Sequence, residues 1–414
     1  MVLVFRSRPL TWQKNLFAVT AASFIGFTGF TLVMPFLPLY FQLLGVQDVG
    51  EIALWSGLSL GVTPALTALL SPFWGRLADR YGRKIMVERS LASFVIVMAA
   101  MAYVSRPWHV FALRALQGFF AGYGALTLTM AADSAPRDRM ASAIGIIQTA
   151  QRLGPALGPI IGGAVAQAVG LRRAFLVTAA FYACALALVF WMYDERAVHH
   201  ELGTDRGGRI SFRNVLAFEN FILLMAVIFA LQFVDRSFGP VLPLFVRQLG
   251  TPDSRVPLIA GLLFSITAGA GAIGHHLCSK LLRHASARTL IGASAAAGAV
   301  GAVAYAVAGG TGLLFVGTPL FGLAIGVSTT AAYTAAGAVI PASARGAGFG
   351  LLTTASLVGL ALSPVVNGFL AATSIRAVFV LDAVALIALA GVVTRLMISE
   401  SSGSTVTPET AEDI

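Results

Sequence analysis

Five ionisable side chains stand inside long apolar runs of this chain: Arg114, Arg152, Asp235, Arg236 and Asp382. A charge in hydrocarbon costs about 2.5 kcal/mol or more on insertion scales, so one that persists has a partner or a task. Gln232, Asp235 and Arg236 fall at i, i+3 and i+4 and share one helix face. An acid so placed can carry a proton. It can equally be a fixed partner to Arg236, Arg152 or Arg114, and both readings stay open. Three arginines against two acids also suit a negatively charged ligand. No enzyme constellation accompanies them. His275-His276 has no further ligand at metal spacing, and no G-x-x-x-x-G-K-[ST] phosphate loop is present, so ATP-driven chemistry is unsupported.

The runs that carry these charges set the architecture. Hydrophobic residues make up 57% of the 414 positions and charged residues only 11%, against about 25% charged in a soluble domain. So few charges cannot cover a soluble fold of this size, and a lipid solvent removes the contradiction. Runs of about 20 apolar residues, the length that crosses a bilayer, fall at 16–43, 53–74, 85–104, 108–130, 140–167, 173–193, 219–245, 256–278, 288–308, 312–338, 345–371 and 375–397. The expected fold is an all-α membrane protein of about twelve transmembrane helices. The first run is too long for a signal-peptide core and follows Arg6, Arg8 and Lys14, so it reads as a span. Cys184 and Cys278 read as small packing residues. Glu88, one turn into the third span, is expected to reach the cytoplasmic surface.

Orientation follows from the 28 Lys and Arg residues. With the N-terminus inside, nineteen fall in cytoplasmic segments, six in external ones and three within spans. The net charge of +10 is therefore spread between spans and forms no patch for nucleic acid. Residues 194–218 are rich in both charge signs and read as a cytoplasmic linker; 399–414 reads as a disordered cytoplasmic tail. The expected location is the cell membrane, with both termini cytoplasmic.

The chain also repeats itself. PFLPLYFQLLG (35–45) matches PVLPLFVRQLG (240–250) at an offset of 205, and GIIQTA (145–150) matches GLLTTA (350–355) at the same offset. RAFLV (173–177) resembles RAVFV (376–380) at an offset of 203. These matches divide the chain into six-helix halves, 1–193 and 219–398, around a central cavity near the bilayer middle. By the repeat, Gln232, Asp235 and Arg236 correspond to Phe27, Phe30 and Thr31.

Three motifs carry a resemblance. GRLADRYGRK (75–84), between the second and third spans, resembles the signature loop of the major facilitator superfamily. Gly75 allows close helix approach, Gly82 permits a tight turn, Asp79 is an anion that a helix N-terminus can receive, and Arg80, Arg83 and Lys84 anchor the charged face. The resemblance implies a latch between the halves, with Arg83 bridging to Asp133. FALRALQGFFAG (111–122) is similar to the family's R-x-x-Q-G element, here Arg114, Gln117 and Gly118, which implies a coupling charge at the cavity. A snorkelling Arg114 is the alternative, since it lies about ten ångströms from the span's outer end by helical rise. GIIQTAQRLGPALGPIIGG (145–163) resembles the element of the drug/proton antiporter branch: Gly145, Gly154, Pro155, Gly158, Pro159, Gly162 and Gly163. Ordinary small-residue packing is its alternative.

The resemblance spans essentially the whole chain. It implies a monomeric secondary transporter that exchanges protons for small amphipathic molecules or drugs by alternating access, with a proton gradient as energy source and no cofactor or metal. Phe27, Phe30, Thr31, Arg152, Gln232, Asp235 and Arg236 are the expected cavity residues. A carrier of one anionic metabolite and a non-transporting membrane scaffold or sensor are the rivals.

Overall fold

The computed structural model describes residues 11–136, 139–195, 220–341 and 345–397, apart from the side chains at 72, 79, 141 and 345–347. The segment read as a linker lies outside these residues beyond Glu195, as does the tail from 399. All regular structure among the described residues is helical. The order is α1 (Thr11–Leu32), α2 (Leu37–Leu43), α3 (Val49–Tyr81), α4 (Arg83–Met101), α5 (Pro107–Phe119), α6 (Tyr123–Ser134), α7 (Met140–Val169), α8 (Leu171–Met192), α9 (Phe221–Arg236), α10 (Leu242–Gln248), α11 (Val256–Leu281), α12 (Ala287–Ala306), α13 (Thr311–Val339), α14 (Arg345–Ala371) and α15 (Ile375–Leu396). Eight of these are long and apolar enough to cross a bilayer unaided. The helices α4 and α7 and the broken pairs α5–α6 and α9–α10 supply the other crossings.

Three expected spans are interrupted. The apolar runs 16–43, 108–130 and 219–245 each read as one helix, but hydropathy does not register a missing donor or a turned backbone. Pro35 and Pro38 lie at the break before α2, and Pro240 and Pro243 at the break before α10, where they remove N–H groups that a continuous helix requires. Between α5 and α6 the cause is Gly122 at φ +118°. Hydrocarbon cannot satisfy the groups a break releases, so protein must. Trp74 Nε1 donates to the Phe119 carbonyl at 2.6 Å and Arg89 Nη2 to that of Phe120 at 3.1 Å. The Arg89 guanidinium lies 3.4 Å over the Trp74 ring.

The helices pack in two groups. In one, α1 packs on α7 and α8, α4 on α8, and α3 on α5; in the other, α13 packs on α11 and α12, α12 on α15, and α9 on α14. Two long pairs join the groups, α3 with α14 and α7 with α11. One end of the molecule, called here the loop face, carries the α3–α4 turn. The start of α1 and the end of α8 lie at the same face, where the Asn15 side chain exchanges two 2.9 Å hydrogen bonds with the backbone of Asp194. The opposite end is the far face.

Repeated contacts correct the repeat's register. Arg172 donates to the carbonyls of Ala102 and Val104 at 3.0 and 2.9 Å, and Arg376 donates to those of Ala306 and Ala308 at 2.6 and 2.7 Å. Arg172 also lies over the Tyr40 ring and Arg376 over the Phe245 ring. Arg376 therefore pairs with Arg172, not with Arg173 as the 203-residue offset implies. One other reading changes: Cys184 is exposed while Cys278 is buried. Glu88 lies 3.8 Å from Lys84, at the loop-face end of α4.

Gly122→Ala forces a side chain into the left-handed region at the break, which costs about 1–3 kcal/mol. Purified variant protein is expected to melt several degrees below the parent; an unchanged melting curve would show that the break does not depend on glycine.

Candidate functional site

At the far face the two groups meet backbone to backbone. A Cβ added at Gly57 of α3 would collide with the Pro364 carbonyl of α14, and one at Gly368 would lie 2.6 Å from the Ala53 carbonyl. The other joining pair repeats this geometry. A Cβ at Gly261 of α11 would collide with the Pro159 carbonyl of α7, and one at Gly163 with that of Pro257. The Ile160 N–H donates across this second crossing to Ser265 Oγ at 3.0 Å. Farther out, Arg247 Nη1 of α10 donates to Gln42 Oε1 of α2 at 2.6 Å. Such glycine contacts let helices approach to backbone distance in a membrane. Together they form a seal.

Toward the loop face the contact is lost. A Cβ at Gly75, Gly145, Gly269 or Gly350 would meet nothing within 4 Å. The close approach expected at Gly75 is thus absent, because the groups have parted there. Just on the loop side of the seal lies a cavity of about 350 Å³, within the size range of small-molecule sites. Its walls include Phe27 and Thr31 of α1, Met34 of the break that follows it, Arg152, Pro155 and Pro159 of α7, Gln232, Asp235 and Arg236 of α9, and Phe264 and His275 of α11.

The cavity gathers charge and apolar surface in one place. Arg236 Nε lies 3.2 Å from Asp235 Oδ2, so Arg236 is the arginine in contact with that acid. Gln232 donates to Ser356 Oγ of α14 at 2.7 Å. His275 Nδ1 lies 2.7 Å from Thr330 Oγ1. Reading the sequence passed over His275 because only the packing of α11 against α7 and α13 turns it toward Arg152 and Asp235. Phe30 does not line the cavity. The same i, i+3, i+4 spacing brings Gln232, Asp235 and Arg236 all to the cavity, so Phe30 is excluded by how α1 is seated against α7 and α8 and not by its spacing along the helix.

The remaining residues singled out lie elsewhere. Gly82 sits at φ +98° between α3 and α4. The Arg83 guanidinium pairs with the Asp133 carboxylate. Lys84 Nζ donates to the carbonyls of Phe190 and Tyr193 at 3.0 and 2.7 Å, and Arg80 lies over the Tyr81 ring. The Asp79 side chain lies outside the described residues. Glu195, read only as linker, caps α4: its Oε1 accepts from the backbone N–H of Arg83 at 2.7 Å and of Lys84 at 3.3 Å. No local pattern could reveal a cap 112 residues away.

Arg114 does not snorkel. Val110, Arg114, Gln117 and Gly118 form the buried face of α5, and Arg114 is only 2% exposed. It lies within the first helix group and not at the cavity. Gly118 fits α5 against the Thr63 backbone of α3. On α7, Gly154, Gly158 and Gly162 press on the α1 backbone near Phe24, Thr28 and Leu32, while Gly163 faces the seal. Asp382, which is fully buried, accepts from Ser237 Oγ at 2.5 Å and so ties α15 to the break after α9.

A family model described as Major Facilitator Superfamily matches residues 19–322. This chain belongs to the Major Facilitator Superfamily. It is a multi-pass membrane transporter and not an enzyme. A relative from Lactococcus lactis, a multi-drug resistance efflux pump PmrA homolog, is 32% identical over 276 residues, covering 67% of this chain and 68% of that one. The multidrug resistance protein MdtG of Yersinia enterocolitica is 34% identical over 276 residues, covering 66% of each. The match thus spans about two thirds of these relatives' length. Among solved structures, a bacterial homolog of the human lysosomal transporter Spinster, inward-facing and occupied, is similar with a TM-score of 0.77, 17% identity and coverage of 94% of this chain and 98% of that one. A D-xylose–proton symporter gives 0.76 with 14% identity, covering 93% and 98%. At such identities the superfamily fold alone is shared.

Gly57→Leu places a side chain where the Pro364 carbonyl lies, so the seal of this superfamily member should open. In a Gln42→Cys, Arg247→Cys background a short bis-maleimide is expected to link the two positions efficiently. The added Gly57→Leu should cut that yield several-fold. An equal yield would mean that the crossing does not control the far face.

Proposed function

We propose that this transporter expels small amphipathic molecules, drugs among them, in exchange for protons by alternating access. The observation that carries this reading is the cavity itself, with apolar walls and an acid–base set, sealed toward one face and unsealed toward the other. The excess of Lys and Arg near the loop face supports a cytoplasmic loop face. On this reading the cavity receives substrate from the cytoplasm, the protein is a monomer in the bacterial inner membrane, and the termini are cytoplasmic. The names of the Lactococcus and Yersinia relatives support drugs as substrates.

Coupling needs one group whose protonation opposes substrate binding. Asp235 is the proposed carrier, held by Arg236 and neighboured by His275 and Arg152. The 75–84 loop is the proposed latch of the outward-open state, with Arg83–Asp133 bracing it from one side. Residues 1–193 and 219–398 act as the two rocking halves around the 194–218 linker. A second reading, transport of one anionic metabolite, is favoured by Arg152 and Arg236 both lining the cavity against a single acid.

Everted vesicles energised to an acid interior should accumulate a fluorescent amphipathic cation, and an uncoupler should release it. Asp235→Asn is expected to abolish this pH-driven uptake while keeping substrate binding. Proton-driven uptake persisting in a stable Asp235→Asn protein would reject the carrier assignment. Uptake confined to small anions would favour the second reading.

A further inference from the structure

A second polar cluster lies away from the cavity, inside the first helix group. Arg114 is almost fully buried, and among the described residues no carboxylate pairs with it. Its only hydrogen bond from the guanidinium goes to Gln117 Oε1 at 3.0 Å. Arg114 Nε and Nη2 and Tyr123 Oη are buried without a hydrogen-bond partner, and Gln117 Nε2 and Tyr182 Oη have only the contact between the two side chains. These groups belong together. Tyr182 lies within electrostatic reach of Arg114 and of Tyr123, and Phe94 packs against both tyrosine rings at 5.8 and 5.2 Å. The rings abut the glycine face of α1, where a Cβ at Gly26 would lie 2.7 Å from Tyr123 Oη and one at Gly29 would lie 3.4 Å from Tyr182 Cζ.

The chemistry of the cluster is one-sided. Arginine and the amide nitrogen of glutamine only donate, and each phenol carries a donor. Two N–H groups of Arg114 and its fixed positive charge meet only neutral oxygens here, those of the two phenols and of Gln117, and no anion among the described residues. A buried charge without a partner and a buried donor without an acceptor are both strongly unfavourable. The guest that answers every one of these demands is a small anion, which accepts from several donors at once and cancels the charge.

We propose that Arg114, Gln117, Tyr123 and Tyr182 form a buried site for a small inorganic anion, chloride under cellular conditions. The anion serves as the counterion of Arg114 and lets α5 hold that charge within the membrane. The site is separate from the cavity, whose walls include none of these residues.

Purified full-length protein in detergent should melt higher in sodium chloride or bromide than in sodium gluconate of equal ionic strength, because gluconate is too large to enter. The halide effect should saturate. Tyr182→Phe and Tyr123→Phe each remove one donor and leave the charge, and each should raise the half-saturating bromide concentration about tenfold. Two variants are used so that a folding failure in one leaves the other to decide. Crystals grown in bromide should give an anomalous peak between Arg114 and Tyr182. Equal melting in halide and gluconate would mean that water fills the cluster and would overturn the proposal. An undiminished halide response in the folded tyrosine variants, or a bromide peak elsewhere, would overturn it as well.

Discussion

Hydrocarbon offers a backbone no hydrogen bonds, and the layout of this protein follows from that restriction. A span that stays helical satisfies itself; one that breaks must be answered by a neighbour. The break between α5 and α6 is answered by Trp74 and Arg89, which donate to the carbonyls of Phe119 and Phe120. The ends of α4 and α12 at the far face are answered by Arg172 and Arg376. Ser237, at the break after α9, is tied to the buried carboxylate of Asp382. Each of these contacts fixes where a helix segment points, and so which side chains reach the space between the two helix groups.

The same restriction explains how the groups can separate without leaving unsatisfied atoms. At the far face the joining helices touch mainly through glycine and the carbonyls opposite, all of which keep their own helical hydrogen bonds. Among the described residues, the bonds across it that must be exchanged when the contact parts are Ile160–Ser265 and Gln42–Arg247. A seal made this way is tight in packing and cheap in polar terms. That combination suits the alternating access proposed for this transporter.

Much of this was legible in the residues. The turn at Gly82, the Gly-Pro run of α7 and the shared face of Gln232, Asp235 and Arg236 are local patterns with local causes. The repeated PFLPLYF and PVLPLFV segments fold alike, into the short helices α2 and α10. The breaks themselves were hidden, because an apolar run reads the same whether its backbone is continuous or not. Gly57 and Gly261 were hidden among 43 glycines, since only the carbonyl facing each one sets it apart. His275 and Glu195 depend on partners far along the chain. Phe30 was misplaced because a repeat offset fixes a position in the chain and leaves the angle around the helix open.

The two crossings of the seal are copies of each other. Gly57 meets Pro364 and Gly261 meets Pro159, and Gly368 and Gly163 complete the pairs. A patch that contacts its own equivalent in this reciprocal way is the hallmark of a two-fold homodimer. A half-length ancestor, paired with a second copy in the same orientation, would have owned both crossings before any gene fusion joined them. The copies now differ: one carries the charged loop and the buried Arg114, the other Asp235, Arg236 and His275.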